Sequence, residues 1–178
     1  MRAIIYYVAT TIDGYISGPD EDISGFVQSG NGLDKYLADL QGFDTVIMGR
    51  KTYEFGYQYG LNPGQPAYPH MDHYIFSTSL QFENPHEKVQ VCPLDLDIIK
   101  KLKAEEGTPI YLCGGGVFAA WLLENELIDR LKIKLNPLIL GGGVRLFGES
   151  TKQYRLELLE HEQFEQGLQM ISYSVKYS

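Results

Sequence analysis

The stretch Thr45–Thr52, TVIMGRKT, decides how the rest of the sequence is interpreted. Four residues with the character of a buried strand run into Gly49, and the basic residues Arg50 and Lys51 stand where a helix would begin. The amino end of a helix leaves backbone N–H groups unpaired and favours an anion. An arginine binds phosphate oxygens in a fork, and the Thr52 hydroxyl can donate to the same group. The stretch therefore predicts a phosphate pocket, with an ordinary strand-to-helix turn as the alternative.

Length, charge and cysteine usage limit the class of protein. The chain has 178 residues, which predicts a single domain over residues 1–178 with a substantial core. Its formal net charge of −8 argues against nucleic-acid and anionic-membrane partners, so a local basic cluster must hold any phosphate. The two cysteines lack metal-ligand spacing and no signal peptide is visible, which indicates reduced thiols in a cytoplasmic protein. No apolar run approaches the roughly 18 residues that a membrane span needs.

Apolar runs and helical periods alternate along the first two thirds of the chain. Runs rich in β-forming residues predict five strands, at 3–9, 45–48, 73–77, 89–92 and 110–113. Helical patterns occur at 33–40, around 53–55, after Asp95 and at 117–123. This alternation predicts an α/β fold with a mostly parallel sheet and helices on both faces.

The pattern changes after Asp129. Residues 131–136 alternate apolar and polar side chains, which predicts a strand with one polar face. Two further runs, 154–164 and 168–177, flank a turn at Gln166-Gly167 and predict a hairpin. The central sheet is therefore expected to finish in antiparallel C-terminal strands.

Four marked stretches fall at the carboxyl ends of predicted parallel strands, where ligands bind in sheets of this kind. They are the glycine-rich loop Thr10–Asp22, the GRKT turn at 49–52, the pair Ser77-Thr78 and the triplet Gly114–Gly116. The sequence therefore predicts one ligand site assembled from all four.

In this order, the four stretches resemble the dihydrofolate reductase superfamily, and particularly the reductase domain of the bifunctional riboflavin-biosynthesis deaminase–reductase. VIMGRKTYE (46–54) is similar to the strand and helix that hold the 2′-phosphate and pyrophosphate of NADPH. YLCGGGVF (111–118) resembles the second dinucleotide contact, often made through a cis Gly–Gly peptide. IDRLKIKLNPLILGGGVRLF (128–147) is similar to the riboflavin-reductase branch. The resemblance covers nearly the whole chain and implies a dihydrofolate reductase-like fold.

The resemblance also implies a set of NADPH contacts. Arg50 would lie near the 2′-phosphate with Ser77 and Thr78, the glycine triplet would line the pyrophosphate, and the backbone at Ala9 would hold the nicotinamide carboxamide. Ile16 would belong to the flexible loop that covers the ring. The implied cofactor-binding residues are Ala9, Ile16, Gly49, Arg50, Lys51, Thr52, Ser77, Thr78, Gly114, Gly115, Gly116, Val117 and Phe118. No metal ligands are expected, since His70 and His73 have no matching partner set.

The residues on the substrate side are open to two interpretations. In folate reductases a carboxylate on the first helix orients the pterin, which makes Asp34 the candidate catalytic residue and a proton donor, with water as the other donor. The alternative is a solvated or capping charge, because the helical period places Asp34 on the polar face. Lys134 either points into the cleft or lies exposed on an edge strand. Asp13 is interpreted as a turn former.

The expected function is that of an NADPH-dependent reductase acting on a small heterocyclic or sugar-linked molecule, resembling the 5-amino-6-(5-phosphoribosylamino)uracil reductase branch. That branch also implies a homodimer. Two alternatives stay open, a true dihydrofolate reductase and a nucleotide-binding protein without turnover. Departures from both patterns leave the substrate open, because Gly30-Asn31-Gly32 stands in place of the Pro-Trp pair of folate reductases and Tyr15 in place of the lysine of the riboflavin enzymes.

Overall fold

A computed structural model describes all residues 1–178 and contains ten strands and four α-helices. The strands are β1 (Ile4–Thr10), β2 (Tyr15–Ser17), β3 (Thr45–Gly49), β4 (Asp72–Phe76), β5 (Val89–Cys92), β6 (Ile110–Gly114), β7 (Arg130–Leu135), β8 (Val144–Arg145), β9 (Arg155–Gln163) and β10 (Gln169–Lys176). The helices are α1 (Asn31–Leu40), α2 (Arg50–Phe55), α3 (Leu96–Ala104) and α4 (Gly116–Glu124). No helix is long and apolar enough to cross a membrane.

Eight strands form the central sheet in the order β5-β4-β3-β6-β1-β7-β10-β9. The six strands from β5 to β7 are parallel, while β10 pairs antiparallel with both β7 and β9. This confirms the predicted fold class. The sequence pattern missed a separate two-stranded sheet, β2 with β8, because strands of three and two residues are too short to show a period.

The two faces of the sheet bury different halves of the core because side chains alternate along each strand. On one face, Ile4 and Tyr6 of β1 join the larger cluster with residues of α3 and α4. On the other face, Tyr7 joins the second cluster with Leu40, at the end of α1. The β7 residues Lys132 and Lys134 lie on the α1 side, because their partners on β1 are Tyr7 and Ala9.

Strand β7 lies inside the sheet, between β1 and β10. The interpretation of Lys134 as an exposed lysine on an edge strand is therefore wrong. A period of two identifies which residues share a face, but it does not show whether a later strand will pair along the open side. The C-terminal hairpin supplies that strand, and Lys134 pairs in register with Met170 of β10.

Candidate functional site

The GRKT turn and the glycine triplet meet at the carboxyl edge of the sheet. Strands β3 and β6 are neighbours, with Met48 beside Gly114. A Cβ atom built on Gly115 would lie only 3.1 Å from Thr52 Oγ1, and one built on Gly49 would lie 3.9 Å from the Gly115 nitrogen. The two stretches are far apart in the chain yet lie side by side at this edge, which is the arrangement that the resemblance requires.

The triplet is mostly covered, since Gly114 and Gly116 are buried and Gly115 is partly exposed. The peptide between Gly114 and Gly115 is cis, as the resemblance implies, and Gly115 caps α4 without any side-chain hydrogen bond. A side chain at Gly116 would collide with the backbone oxygen of Arg145, so only glycine fits there. The first N–H groups of α4 have no partner inside the helix. These groups, together with the glycine backbone, make a surface that suits an anion.

The two implied residues at the start of α4 differ in exposure. Val117 is exposed, while Phe118 is buried and stacks on Phe76 with ring centroids 5.0 Å apart. Phe118 also lies against Gly49, where an added Cβ would be 3.4 Å from the Phe118 Cβ. Phe118 therefore fixes the spacing between the GRKT turn and α4 rather than offering a surface to a ligand.

Arg50 lies beside the loop that follows β4. Strands β3 and β4 run parallel with Gly49 opposite Phe76, so the residues after them leave the sheet side by side. Arg50 Nη1 donates to Ser79 Oγ at 3.0 Å. The loop is fixed by Ser77 Oγ, which accepts from the nitrogens of Ser79 and Leu80 at 3.1 and 3.0 Å. Thr78 and Lys51 are exposed at the same edge. A guanidinium held beside a hydroxyl-rich loop, with an exposed lysine next to it in the chain, therefore lies at this edge of the sheet.

The loop after β1 reaches across to the second glycine triplet. Asp13 accepts hydrogen bonds from the Leu140 and Gly141 nitrogens at 3.1 and 2.7 Å and from Thr11 Oγ1 at 2.6 Å. The Thr11 hydrogen bond lowers the pKa of Asp13. These contacts confirm that Asp13 is a turn former. Ile16 is half-buried in the middle of β2, so the segment implied to cover the nicotinamide is tied to β8 in this structure.

Asp34 lies away from the sheet. Its side chain is exposed and makes no hydrogen bond or ion pair, and its backbone nitrogen donates to the Gly30 oxygen. Residues that are two positions apart in an α-helix differ by about 200° of rotation about its axis, so Asp34 points away from Tyr36. Tyr36 packs on Tyr7 of the sheet. The helical period placed Asp34 correctly, and the structure does not bring it together with the other candidate residues.

A cluster of polar side chains occupies the α1 face instead. We call it the acceptor cluster, and its members come from α1, the loop before β4, β6 and β7: Tyr36, Tyr68, Tyr111, Cys113 and Lys134. The Tyr36 and Tyr111 hydroxyls are 2.7 Å apart, and the Tyr68 hydroxyl is 3.6 Å from Cys113 Sγ. Lys134 Nζ lies 3.3 Å from the centre of the Tyr36 ring. Of these five residues only Lys134 is a candidate from the sequence, and no sequence pattern indicates that the five assemble.

Burial shifts the titration of every member of the acceptor cluster. It raises the pKa of Tyr36 to about 12 and raises the pKa values of Tyr68, Tyr111 and Cys113. It lowers the pKa of Lys134 to about 8. Desolvation disfavours whichever form is charged, so phenols and thiols are held neutral while the ammonium releases its proton more easily. Lys134 is therefore the one member that exchanges a proton near neutral pH.

Asp39 is the carboxylate of α1 that faces the sheet, and it is already fully engaged. It accepts from Lys35 at 2.5 Å, from Lys132 at 2.7 Å and from the Tyr7 hydroxyl at 2.9 Å. Burial would raise the pKa of Asp39, but the hydrogen bonds from Lys132, Lys35 and Tyr7 outweigh it and lower the pKa. This network holds α1 against β7 and leaves no free carboxylate for a ligand.

The two histidines considered as metal ligands bind backbone groups. His73 Nε2 accepts from the Tyr68 nitrogen at 3.1 Å, and its Nδ1 lies 3.0 Å from the Met71 oxygen. Burial lowers the pKa of His73 to about 4, so the ring is neutral at physiological pH. His70 Nε2 lies 2.9 Å from the Leu40 oxygen. Both histidines therefore fix the loop that carries Tyr68, and no three potential ligands lie close together.

Comparison with known proteins places this architecture in a family. The family model of the RibD C-terminal domain matches residues 2–170. The uncharacterized Bacillus subtilis protein YwjB is 30% identical over 95% of this chain and 96% of its own length.

Two solved structures extend the likeness to the fold. A Shewanella sp. PV-4 protein, assigned provisionally to riboflavin biosynthesis, is 27% identical and matches with a TM-score of 0.82 over 98% of this chain and 99% of its own. A pyrimidine reductase-like protein of Corynebacterium diphtheriae is 20% identical and shares the fold, with a TM-score of 0.73 over 99% of this chain and 93% of its own. The chain therefore belongs to the RibD C-terminal domain family.

Proposed function

We propose that the protein is an NADPH-dependent reductase that transfers hydride to a small molecule bound on the α1 face of the sheet. The observation that carries the proposal is that the GRKT turn and the triplet Gly114–Gly116 adjoin at the carboxyl edge of the sheet, where they would form a crevice for a dinucleotide. Membership of the RibD C-terminal domain family supports it, as does the riboflavin-related assignment of the Shewanella relative.

The residues around the crevice fit a dinucleotide with an extra phosphate. The pyrophosphate would meet the glycine backbone and the amino end of α4, where N–H groups are unpaired. The 2′-phosphate would meet Arg50, Lys51 and the hydroxyls of Ser77 and Thr78. A protein with a net charge of −8 offers such a local cluster of donors in few places. NADPH supplies hydride chemistry, and these residues would supply binding and orientation.

The distribution of groups along the crevice also sets the direction of the bound cofactor. Arg50 and Ser77 follow β3 and β4, on the side toward the β5 edge, while Ala9 lies one residue before the end of β1, two strands further along from β3. A dinucleotide with its 2′-phosphate at Arg50 and its pyrophosphate at Gly115 would place the nicotinamide near Ala9. Ala9 pairs with Lys134 of β7, so the ring would border the acceptor cluster. Hydride transfer needs donor and acceptor in close contact, and this direction provides it.

Calorimetric titration with NADPH and with NADH tests the proposal. We expect NADPH to bind more tightly, because only NADPH presents a 2′-phosphate to Arg50 and the neighbouring hydroxyls. Equal affinities would contradict the assignment of Arg50 to the 2′-phosphate. If neither NADPH nor NADH binds, the proposal that the protein is a reductase is contradicted. Tight NADPH binding without oxidation, when pterin, pyrimidine and carbonyl compounds are supplied, would favour a nucleotide-binding protein without turnover.

We also propose a homodimer formed through β9. This strand ends the sheet, all nine of its residues are exposed, and Leu156, Leu158 and Leu159 are 44%, 59% and 45% exposed. An open edge strand with apolar side chains is a template for pairing with another chain. We expect a dimer in sedimentation and a shift toward monomer for Leu158→Lys, whereas Lys152→Glu, a change at an exposed site outside β9, should keep the dimer. A monomeric parent protein would contradict this proposal.

A further inference from the structure

Lys134 is a cation without a counter-ion. Its side chain is largely covered, its ammonium lies over the Tyr36 ring, and no carboxylate contributes to its environment. Ser174 Oγ is the one polar side-chain atom that is both fully enclosed and without a hydrogen-bond partner. The Lys134 ammonium has no hydrogen-bond partner either, so it is not fully enclosed and keeps an opening to solvent. Burying an unpaired charge is costly and a protein rarely tolerates it without a use. The ammonium is therefore available to a ligand and to water.

The surroundings of Lys134 are rich in hydrogen-bond donors and contain no free acid. Hydroxyls of Tyr36, Tyr68 and Tyr111 and the Cys113 thiol complete the acceptor cluster. The nearest carboxylate of α1 that faces the sheet, Asp39, is occupied by two lysines and a tyrosine. A pterin ring presents an amino group and a ring N–H, which donate hydrogen bonds and are matched by an acceptor such as a carboxylate. A carbonyl compound presents an oxygen that accepts hydrogen bonds, which this set of donors satisfies.

We infer that the acceptor substrate is a carbonyl compound and that Lys134 is the catalytic residue that hydrogen-bonds its oxygen and supplies the proton. The inference rests on the proposed function, because the register of β1 and β7 puts Lys134 beside Ala9, the position proposed for the nicotinamide. It goes further by naming the substrate class and the proton donor.

The reaction balances with the groups named. The carbonyl carbon gains a C–H bond from the hydride that NADPH supplies, and the electron pair of the C=O π bond moves to oxygen. That oxygen takes a proton from Lys134 as the N–H bond breaks, and the alcohol forms. The acceptor is thus reduced by two electrons and NADPH becomes NADP⁺. The neutral amine of Lys134 then regains a proton from water through its opening to solvent.

The groups that face Lys134 support this assignment over other donors. They are Tyr36 on α1, whose ring lies under the ammonium, and Cys113 on β6. Tyr111 and Tyr68 contact these two residues. Tyr7, Lys132 and Asp39 with its partner Lys35 form a separate network on the same face of the sheet. The tyrosines and the thiol have raised pKa values and hold their protons at neutral pH, while the pKa of Lys134 is about 8. General acids act best when their pKa lies near the working pH.

Two substitutions separate charge from proton donation. Lys134→Met keeps the length of the side chain and removes the charge, whereas Lys134→Arg keeps the charge and holds its proton too tightly to donate it. Lys152→Met, at an exposed site without contacts, is the matched control. NADPH affinity is measured first on each protein by fluorescence. Initial rates of NADPH oxidation are then measured with isatin, camphorquinone and dihydrofolate across the pH range.

We expect the parent protein to reduce a carbonyl probe and not dihydrofolate, with a rate that falls above about pH 8. Lys134→Met should lower kcat/KM by about 100-fold, the lower end for a general acid, with NADPH affinity unchanged. Lys134→Arg should keep KM, lose kcat and lack the alkaline fall. Reduction of dihydrofolate alone, no reduction of either carbonyl probe by protein that binds NADPH, or a Lys134→Met rate equal to the control's would overturn the inference. Failure to bind NADPH would instead refute the proposed function.

Discussion

Arg50→Ala is expected to weaken NADPH binding by about 10- to 150-fold, because hydrogen bonds to charged groups contribute about 1.5–3 kcal/mol. The Arg50 guanidinium is positioned by a hydrogen bond of 3.0 Å to Ser79 Oγ. Its ion pair with Glu54 is long, at 3.8 Å, so the guanidinium can still bind a phosphate. NADH lacks the 2′-phosphate and should bind the variant and the parent about equally. The ratio of the two dissociation constants, measured by calorimetry at one ionic strength, isolates the phosphate contact.

Arg130→Ala is the charge-matched control for this experiment. Arg130 is exposed at the amino end of β7, the opposite end of that strand from the crevice. Its removal changes the net charge by the same amount, so any general electrostatic effect on a multiply charged ligand will appear in both variants. A similar loss of NADPH affinity in both proteins, or an equal loss for NADPH and NADH in Arg50→Ala, would refute the 2′-phosphate assignment.

Much of the part of the crevice proposed to hold the cofactor could be predicted from the sequence, because it is built from short, continuous segments. A buried strand that ends in glycine followed by basic residues, as at 45–52, fixes both the turn and the groups that border it. The triplet at 114–116 follows a strand in the same way. Parallel strands bring such turns to one edge of the sheet, so their order along the chain was enough to predict that they meet.

The substrate half could not be predicted in the same way because four separate elements contribute one or two side chains each. Tyr36, Tyr68, Tyr111 and Lys134 are spread over about a hundred residues. Tyr111 and Lys134 fall within stretches that resemble the family, but the resemblance assigned no role to either side chain in binding the cofactor. The resemblance to folate reductases directed attention to Asp34, while the helical period already placed that residue on the polar face. Where motif and periodicity disagreed on α1, the periodicity was correct, since it follows from the packing of the helix itself.

Lys134 illustrates why the period alone is also insufficient. The alternation at 131–136 identified a polar face correctly, but polar side chains on an interior strand are covered by whatever packs on that face. Here the Tyr36 ring of α1 covers the ammonium, and burial lowers the pKa of Lys134 to about 8. Burial of the charged Lys134 ammonium should also lower the free energy of unfolding. That effect tests the burial without any substrate.

Lys134→Met is expected to stabilise the protein at neutral pH. Lowering the lysine pKa from 10.5 to about 8 corresponds to roughly 3 kcal/mol of unfavourable burial of the charged form. Methionine fills the same space but loses the cation–π contact with Tyr36, worth about 0.5–2 kcal/mol. The net gain in the free energy of unfolding should therefore be about 1–2.5 kcal/mol. Urea unfolding of the variant, the parent and Lys152→Met at one pH measures it.

The pH dependence of this difference gives the sharper result. Below about pH 8 Lys134 is charged in both states and the parent carries the full cost of burial. Between about pH 8 and 10.5 the folded lysine is neutral while the unfolded one still binds a proton, so the parent gains stability as the pH rises. The advantage of Lys134→Met should therefore shrink across that window, while Lys152→Met follows the parent throughout. A constant difference, or a variant less stable than the parent at neutral pH, would mean that the Lys134 ammonium is well solvated or paired, and the basis for its role as proton donor would be lost.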